Sequence, residues 1–251
     1  MSRRVKTGIQ GLDELINGGF PEGRVILVVG GPGTGKTVLA AQFLYKGITD
    51  YNESGIYVSL DESKNHYFSE MQTFGWDFKK AEEEKKFVFL DATRMPRSEL
   101  QKEKIFGEPS SLRAKQLPID RLIEDLEEKA RQIDAKRVAL DTLATLFHRF
   151  PDPVERRMIA VDLVESLSEL GITTLITTEL SRLGLDRDVS IEEYMAHGVI
   201  VMQTLFSEGV ISRALQVEKM RGTKINPNCV PYTIDKNGIQ IFPDVPLFGR
   251  S

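Results

Sequence analysis

A short stretch near the start of the chain constrains its fold more than any other feature. Residues 25–29 form an unbroken apolar run rich in β-branched side chains, which is typical of a strand buried on both faces. Residues 30–37 then fit the phosphate-loop pattern G-x-x-x-x-G-K-[ST], and an amphipathic helix is predicted from about 36 to 45. A buried strand, a glycine-rich turn and a helix in this order predict a loop that binds a nucleoside triphosphate.

Each residue type in this loop has a chemical reason. The glycines allow the backbone N–H groups to face an anion, and the start of the helix adds its positive end. Lys36 supplies a charge for the β- and γ-phosphates, which makes it a predicted catalytic residue, and the Thr37 hydroxyl is a predicted Mg²⁺ ligand. The predicted nucleotide-binding residues are Gly30, Gly31, Pro32, Gly33, Thr34, Gly35, Lys36, Thr37 and Val38.

The rest of the chain predicts an α/β fold in one domain, residues 1–251. After a short helix at about 12–16 and the phosphate loop, strands are predicted at 56–60, 87–90, 138–140 and 172–177, and helices at 64–74, 119–133 and 153–170. This alternation predicts a mostly parallel, twisted sheet flanked by helices. From about residue 198 the pattern changes to strands at 199–203, 213–219, 232–234 and 239–242, which predict an antiparallel extension. Residues 91–118 predict an irregular loop, which we expect to be mobile.

Composition excludes few functions. The formal net charge of -4 and the pI near 5.6 give no overall preference for nucleic acid or anionic membranes. The single cysteine, Cys229, cannot form an internal disulfide, and no apolar stretch is long enough to span a membrane. We therefore expect a cytoplasmic protein that does not enter a membrane.

Asp141 directly follows the predicted strand at 138–140, where a carboxylate can help to hold Mg²⁺ together with Thr37. Alternatively, Asp141 only caps the turn that follows.

Two carboxylates, Asp61 and Glu62, close the strand at 56–60. In a parallel sheet they share one edge with the phosphate loop, so either could orient or deprotonate the water that attacks the γ-phosphate. A polar cap for the next helix is the simpler alternative, and Asp61 could cap while Glu62 acts as base. The strand end Thr177-Thr178-Glu179 could sense the γ-phosphate or be an ordinary strand exit.

Lys219 and Arg221 lie on or near a late strand. Such exposed basic residues usually form a solvated face. Their functional interpretation is a lysine or arginine finger that reaches the γ-phosphate bound by a neighbouring subunit.

Six segments together resemble the KaiC-like branch of the RecA/RadA ATPases, in order from about residue 5 to 243. They are Thr7-Gly8-Ile9-Gln10-Gly11-Leu12-Asp13, the phosphate loop, Ser59-Leu60-Asp61-Glu62-Ser63, Leu140-Asp141-Thr142-Leu143, Thr177-Thr178-Glu179 and Lys219-Met220-Arg221-Gly222-Thr223. The resemblance implies a RecA-like fold, ATP and Mg²⁺ as ligands, and a homo-oligomeric ring, commonly a hexamer, in which Lys219 and Arg221 act in trans. It also implies that the acidic pair activates water. Because the family pair is usually two glutamates, Asp61 departs from the pattern and Glu62 is the expected base.

The leading hypothesis is a Mg²⁺-dependent ATPase that forms a ring and regulates or remodels a protein partner not identified by the sequence. A second hypothesis is a RadA-like module that binds single-stranded DNA through basic residues of 91–118 and 181–196. These residues are Arg94, Arg97, Lys102, Lys104, Arg113, Lys115, Arg182 and Arg187. The interleaved acids and the net charge disfavour it. A third is a nucleotide-switched scaffold with little turnover.

Overall fold

The computed structural model of the chain describes residues 3–93, 118–150, 152–180, 189–207, 210–245 and 247. Helices and strands alternate through most of it. In chain order they are β1 (Arg4–Val5), α1 (Leu12–Leu15), β2 (Phe20–Pro21), β3 (Val25–Gly30), α2 (Lys36–Tyr51), β4 (Gly55–Ser59), α3 (Lys64–Gln72), α4 (Phe78–Glu83), β5 (Phe87–Asp91), α5 (Pro118–Ile133), β6 (Arg137–Asp141), α6 (Leu143–Phe147), α7 (Pro153–Glu169), β7 (Thr173–Glu179), α8 (Ile191–Met195), β8 (Gly198–Ser207), β9 (Val210–Met220), β10 (Val230–Asp235) and β11 (Gly238–Ile241).

The main sheet of the described chain has the strand order β11-β10-β9-β8-β3-β7-β6-β4-β5. From β8 to β5 all neighbours are parallel, whereas β9, β10 and β11 pair antiparallel. This confirms the predicted fold class. One detail of the prediction is wrong, because β8 is parallel to β3 and only its other neighbour, β9, runs antiparallel to it. After β7 the chain passes through α8 and begins β8 beside the start of β3, so β8 runs in the same direction as β3.

Helices cover both faces of the sheet and bury two apolar clusters. Ile26 and Val28 of β3 belong to the cluster under α1, α2, α3 and α4. The alternating residues Val25, Leu27 and Val29 belong to the cluster under α5, α6 and α7. The strand before the phosphate loop is thus buried on both faces, which explains its unbroken apolar sequence.

The helices differ from the prediction mainly at their ends. α2 continues to Tyr51 instead of stopping near 45, and the short helices α4, α6 and α8 were not predicted. Most of the predicted loop 91–118, residues 94–117, lies outside the described residues. In the part of the chain that is described, no helix combines the length and the apolar character needed to cross a bilayer.

A buried arginine fastens the second half of α2 to the sheet. Arg137, at the start of β6, has a fully buried side chain, and its Nε and Nη2 both lie 2.7 Å from Glu53 Oε2. Its Nη1 donates to the carbonyl of Phe43 at 2.8 Å, and the guanidinium lies over the Phe43 ring at 4.6 Å. A Cβ at Gly47 would lie 2.4 Å from Arg137 Cδ, so this helical position has room only for glycine. This contact accounts for a glycine inside α2, where helix propensity alone disfavours it.

We predict that Arg137→Ala destabilises the fold by roughly 3 kcal/mol, because it removes a buried ion pair and leaves a cavity beside Phe43. The measurement is the free energy of unfolding in urea. The matched control is Lys136→Ala, whose side chain is 53% exposed and pairs with the exposed Asp134, and which should change stability by less than about 0.5 kcal/mol. Equal effects of the two substitutions would contradict a structural role for Arg137.

Candidate nucleotide-binding site

Four parallel strands end at one edge of the sheet and form an acidic cleft there. Gly30 of β3 is in register with Glu179 of β7, and Ser59 of β4 is in register with Asp141 of β6. The cleft has a volume of about 580 Å³. Its lining residues include Lys36, Thr37, Asp61, Glu62, Asp141 and Glu179. Residues predicted separately from four strand ends therefore share one cleft.

The phosphate loop has a conformation that depends on its glycines. Gly33 and Gly35 have φ angles of 73° and 90°, which L residues with side chains rarely adopt. A Cβ at Gly35 would also lie 2.5 Å from Ile234 Cδ1. Gly35 is the N-cap of α2 and provides no side-chain cap, so the first N–H groups of this helix remain available for an anion.

Two hydroxyl groups brace the loop. Thr34 Oγ1 donates to the carbonyl of Gly31 at 2.8 Å, and the buried Tyr232 hydroxyl donates to the carbonyl of Thr34 at 2.6 Å. Tyr232 lies on β10, so the antiparallel extension supports the phosphate loop directly. The sequence analysis missed this residue because nothing in its local pattern links it to the loop.

The Lys36 ammonium lies over the loop and faces the carboxylates of the cleft. Its Nζ donates to the carbonyls of Gly30 and Gly31 at 2.8 and 3.1 Å. Burial lowers the pKa of Lys36, and the negative charges of Asp141 and Glu179 act in the opposite direction. A phosphate in this loop would supply the strong negative partner that the half-buried ammonium requires.

Asp141 accepts hydrogen bonds from three hydroxyl groups on three different elements. Thr37 on α2 donates to Oδ2 at 2.7 Å, Tyr57 on β4 donates to Oδ2 at 2.6 Å, and Thr177 on β7 donates to Oδ1. The alternative that Asp141 caps the next turn is wrong, because the N-cap of α6 is Thr142. Its carboxylate instead lies at the floor of the cleft, beside the threonine of the phosphate loop.

The donor set at this point suits Mg²⁺. The Thr37 hydroxyl and the Asp141 carboxylate are hard oxygen ligands already 2.7 Å apart. Within the described ranges no group of three or more His, Cys, Asp or Glu side chains is arranged to hold a metal alone. These two residues therefore fit a magnesium ion that takes its remaining ligands from phosphates and water.

Asp61 and Glu62 form the turn between β4 and α3. The backbone N–H of Glu62 donates to Ser59 Oγ at 3.0 Å, and Ser59 Oγ donates to the carbonyl of Glu62 at 2.7 Å. The N-cap of α3 is Ser63, so neither carboxylate has the capping role given as the alternative. Both side chains instead line the cleft.

Burial and neighbouring charges alter the acidity of this pair. Burial is the main cause that raises the pKa of Glu62 to about 7, and the carboxylates of Glu70, Asp141 and Asp61 add to it. Burial followed by the charge of Asp141 also raises the pKa of Asp61. A carboxyl that titrates near neutrality is suited to general-base catalysis.

The strand end 177–179 has two different environments. Thr177 is buried and bonded to Asp141, whereas Glu179 is exposed at the mouth of the cleft. Its predicted role as a γ-phosphate sensor remains a prediction.

Lys219 and Arg221 lie at the amino end of the parallel strands, opposite the cleft. Lys219 is in β9 opposite Val199, and Arg221 follows the strand with its N–H bonded to the carbonyl of His197. Lys219 Nζ donates to the carbonyls of Glu193 and Tyr194 at 3.0 and 2.9 Å, and Arg221 Nη2 donates to the latter at 3.3 Å. The structure therefore does not bring these two residues into the cleft of their own chain.

The site also contains residues that the sequence analysis did not find. Tyr57 was counted only as part of a buried strand, and Glu70 only as part of a helix. The position of Tyr57 two residues before the end of β4 is compatible with a contact at the sheet edge. No sequence signal distinguishes such a tyrosine from an ordinary core residue.

Comparisons with known proteins agree with this geometry. The profile of the family described as "ATPase: KaiC" matches residues 5–245. The UPF0273 protein MJ1359 of Methanocaldococcus jannaschii is 38% identical over 96% of this chain and 97% of its own length. The circadian clock oscillator protein KaiC of Picosynechococcus sp. is 34% identical over 96% of this chain, which spans 45% of that protein.

A solved structure has the same architecture. The crystal structure of the KaiC-like protein PH0186 from Pyrococcus horikoshii OT3 superposes with a TM-score of 0.80 at 36% sequence identity. The match covers 97% of this chain and 100% of the other. The resemblance inferred from the motifs is thus confirmed, and the chain belongs to the KaiC family of P-loop ATPases.

Proposed function

We propose that this protein is a Mg²⁺-dependent ATPase whose catalytic cleft contains the phosphate loop, Asp141 and Glu62. One observation supports this proposal above the others. A phosphate-loop threonine bonded to a strand-end aspartate lies in the same cleft as a glutamate whose pKa is about 7. This arrangement combines phosphate binding, metal binding and a base, and hydrolysis requires all of them.

Each residue has a distinct part in the proposed reaction. The loop N–H groups and Lys36 bind the phosphates, while Thr37 and Asp141 would hold Mg²⁺, which would supply positive charge beside the phosphates. Glu62 accepts a proton from the water that attacks the γ-phosphorus. Asp61 supports it by adding negative charge to the cleft. Adenosine triphosphate is proposed as the substrate on the basis of the family.

Lys219 and Arg221 are proposed to act on the nucleotide of a neighbouring subunit. Arg221 is bonded to His197, whose N–H bonds to the carbonyl of Val25, the first residue of β3. The phosphate loop begins at Gly30, at the other end of β3. At about 3.3 Å per residue, roughly 16 Å of strand therefore separates the loop from Val25, beside which Arg221 is held. An arginine cannot span this distance within one chain. We therefore propose a homo-oligomeric ring, with six subunits as in the family.

The physiological setting is proposed as well. Residues 1–251 act as one ATPase domain in the cytoplasm, where a single unpaired cysteine is stable. The ring regulates or remodels a protein partner, and its nucleotide state determines whether the partner is bound.

The first test is phosphate release from Mg·ATP by the purified protein, with and without single-stranded DNA at moderate salt. Slow turnover that DNA does not change supports the proposed regulator. Strong stimulation by DNA would favour the DNA-binding alternative. The basic residues that would contact DNA in this alternative all lie outside the part of the chain that the structure describes. Nucleotide binding without release of phosphate would favour the scaffold alternative.

We predict that Glu62→Gln lowers kcat by about 10²–10⁴-fold, the usual contribution of a general base. Binding of Mg·ATP should persist, because Glu62 does not contact the phosphate loop in the proposed mechanism. The measurements are steady-state phosphate release and nucleotide affinity. Glu169→Gln, an exposed glutamate four residues before β7 at the opposite edge of the sheet, is the matched control. Turnover at the parent rate in Glu62→Gln would refute the assigned base.

The pH dependence tests the same residue differently. Glu62 must be deprotonated to act as a base, so kcat/KM should rise with pH and level off above about 7. Glu70→Gln removes a negative charge that helps to raise this pKa. We predict that the rising limb of the profile then moves to lower pH, whereas Glu169→Gln leaves it in place. A limb that does not move in Glu70→Gln would mean that another group controls it.

For the contact in trans, we predict that Lys36→Ala and Arg221→Ala are each inactive alone but recover activity when mixed. A hybrid interface can pair the intact phosphate loop of the Arg221→Ala subunit with the intact arginine of the Lys36→Ala subunit. About a quarter of the interfaces in a random mixture have this composition, and activity should recover in proportion. Hybrid rings can be verified by mass spectrometry, and the absence of recovery in verified hybrids would contradict the trans role.

A further inference from the structure

A buried tyrosine on the helix beside the cleft has a hydroxyl group to which no described residue bonds. Tyr67 on α3 is fully buried, and its hydroxyl makes no hydrogen bond to any described residue. Its neighbours on the helix, His66 and Glu70, line the cleft. Burying a hydroxyl without a hydrogen bond is unfavourable, and phenylalanine would fill the same space without this cost. The hydroxyl therefore requires an explanation.

The position of Tyr67 connects it to the floor of the cleft. Its ring lies on the ring of Tyr57 with a centroid distance of 4.0 Å and an interplanar angle of 30°. The Tyr57 hydroxyl in turn donates to Asp141 Oδ2 at 2.6 Å. Burial, followed by the charges of Asp141 and Glu62, raises the pKa of Tyr67 well above its ordinary value. The phenol is therefore a hydrogen-bond donor at neutral pH, and its ring contacts the tyrosine that bonds to the floor of the cleft.

The two carboxylates differ in their capacity to accept another hydrogen bond. Asp141 already accepts from Thr37 and Tyr57 at Oδ2 and from Thr177 at Oδ1. The carboxylate of Glu62, in contrast, accepts no hydrogen bond from the residues that the structure describes; its backbone alone is fixed, by Ser59. Glu62 is therefore the carboxylate that a further donor can orient.

Building on the proposed ATPase function, we propose that Tyr67 is a positioning residue for Glu62 and acts through one buried water. The Tyr67 hydroxyl donates to this water, and the water donates to the Glu62 carboxylate. The oxygen of the Tyr57 hydroxyl can also accept from the water, which gives it the two to four polar partners typical of buried waters. The Glu62 carboxylate is then held in one orientation toward the attacking water.

The decisive variant is Tyr67→Phe, which keeps the ring and its contacts with Phe68, Phe78, Phe87 and Phe89. We expect kcat to fall about tenfold, the effect of one hydrogen bond of typical strength, while KM for Mg·ATP changes less than about twofold. Tyr45→Phe is the matched control, because Tyr45 packs on the same aromatic cluster through Phe78. It should keep the parent kcat.

A double variant separates positioning from a general loss of structure. If Tyr67 acts through Glu62, adding Tyr67→Phe to Glu62→Gln should cause no further loss in single-turnover hydrolysis. A second loss of similar size would overturn the proposal. A Tyr67→Phe variant with the parent kcat and a raised Tm would also overturn it, because the hydroxyl would then only destabilise the fold. If the wild-type protein releases no phosphate, the proposed function and this inference both fail. Turnover in both wild type and Tyr67→Phe at equal rates would remove this inference alone.

Discussion

The buried carboxylate of Asp141 is the interaction on which the candidate site depends. A buried charge is unfavourable unless it is well hydrogen-bonded, and here the bonds come from α2, β4 and β7. Three separate elements are thus fixed relative to one aspartate at the edge of the sheet. The position of the phosphate-loop threonine is set by the same group that would share a metal ion with it. The proposed binding and catalytic groups are therefore held in place by the fold itself, which is the condition for efficient electrostatic catalysis.

Two different kinds of contact hold the two halves of the helix that follows the phosphate loop. At its first turn, Thr37 bonds to Asp141 at the carboxyl end of β6. Ten residues later, Gly47 makes room for Arg137 at the amino end of the same strand. The helix consequently lies along β6 with little freedom to slide. A phosphate-binding N-terminus requires this rigidity, because the N–H groups act only if they point at one place.

Much of this structure was predictable from sequence, and the failures have a common cause. The phosphate loop, the buried strand before it and the carboxylates at strand ends follow from local patterns and from the rule that parallel strands end at one edge. The capping roles considered for Asp141, Asp61 and Glu62 were wrong because local spacing does not reveal which distant hydroxyl or cleft a side chain will meet. The same limit applies to Tyr57 and Tyr232, whose rings fit an apolar pattern while their hydroxyl groups bond to groups of the site. The direction of β8 was mistaken because its hairpin with β9 dominates the local signal, and its pairing with β3 is a long-range contact.

The location of the basic pair has a consequence for symmetry. The phosphate loop opens at the carboxyl edge of the sheet, and Lys219 and Arg221 lie at its amino edge. In the proposed assembly, the cleft of one subunit meets the amino end of the sheet of the next subunit, so the contact joins unlike surfaces. Such head-to-tail contacts either close into a ring or continue as a filament. In the proposed assembly, a closed ring would complete every nucleotide site, whereas an open chain would leave one site without the basic pair of a neighbour. Closure alone would then distinguish a fully competent assembly from an incomplete one.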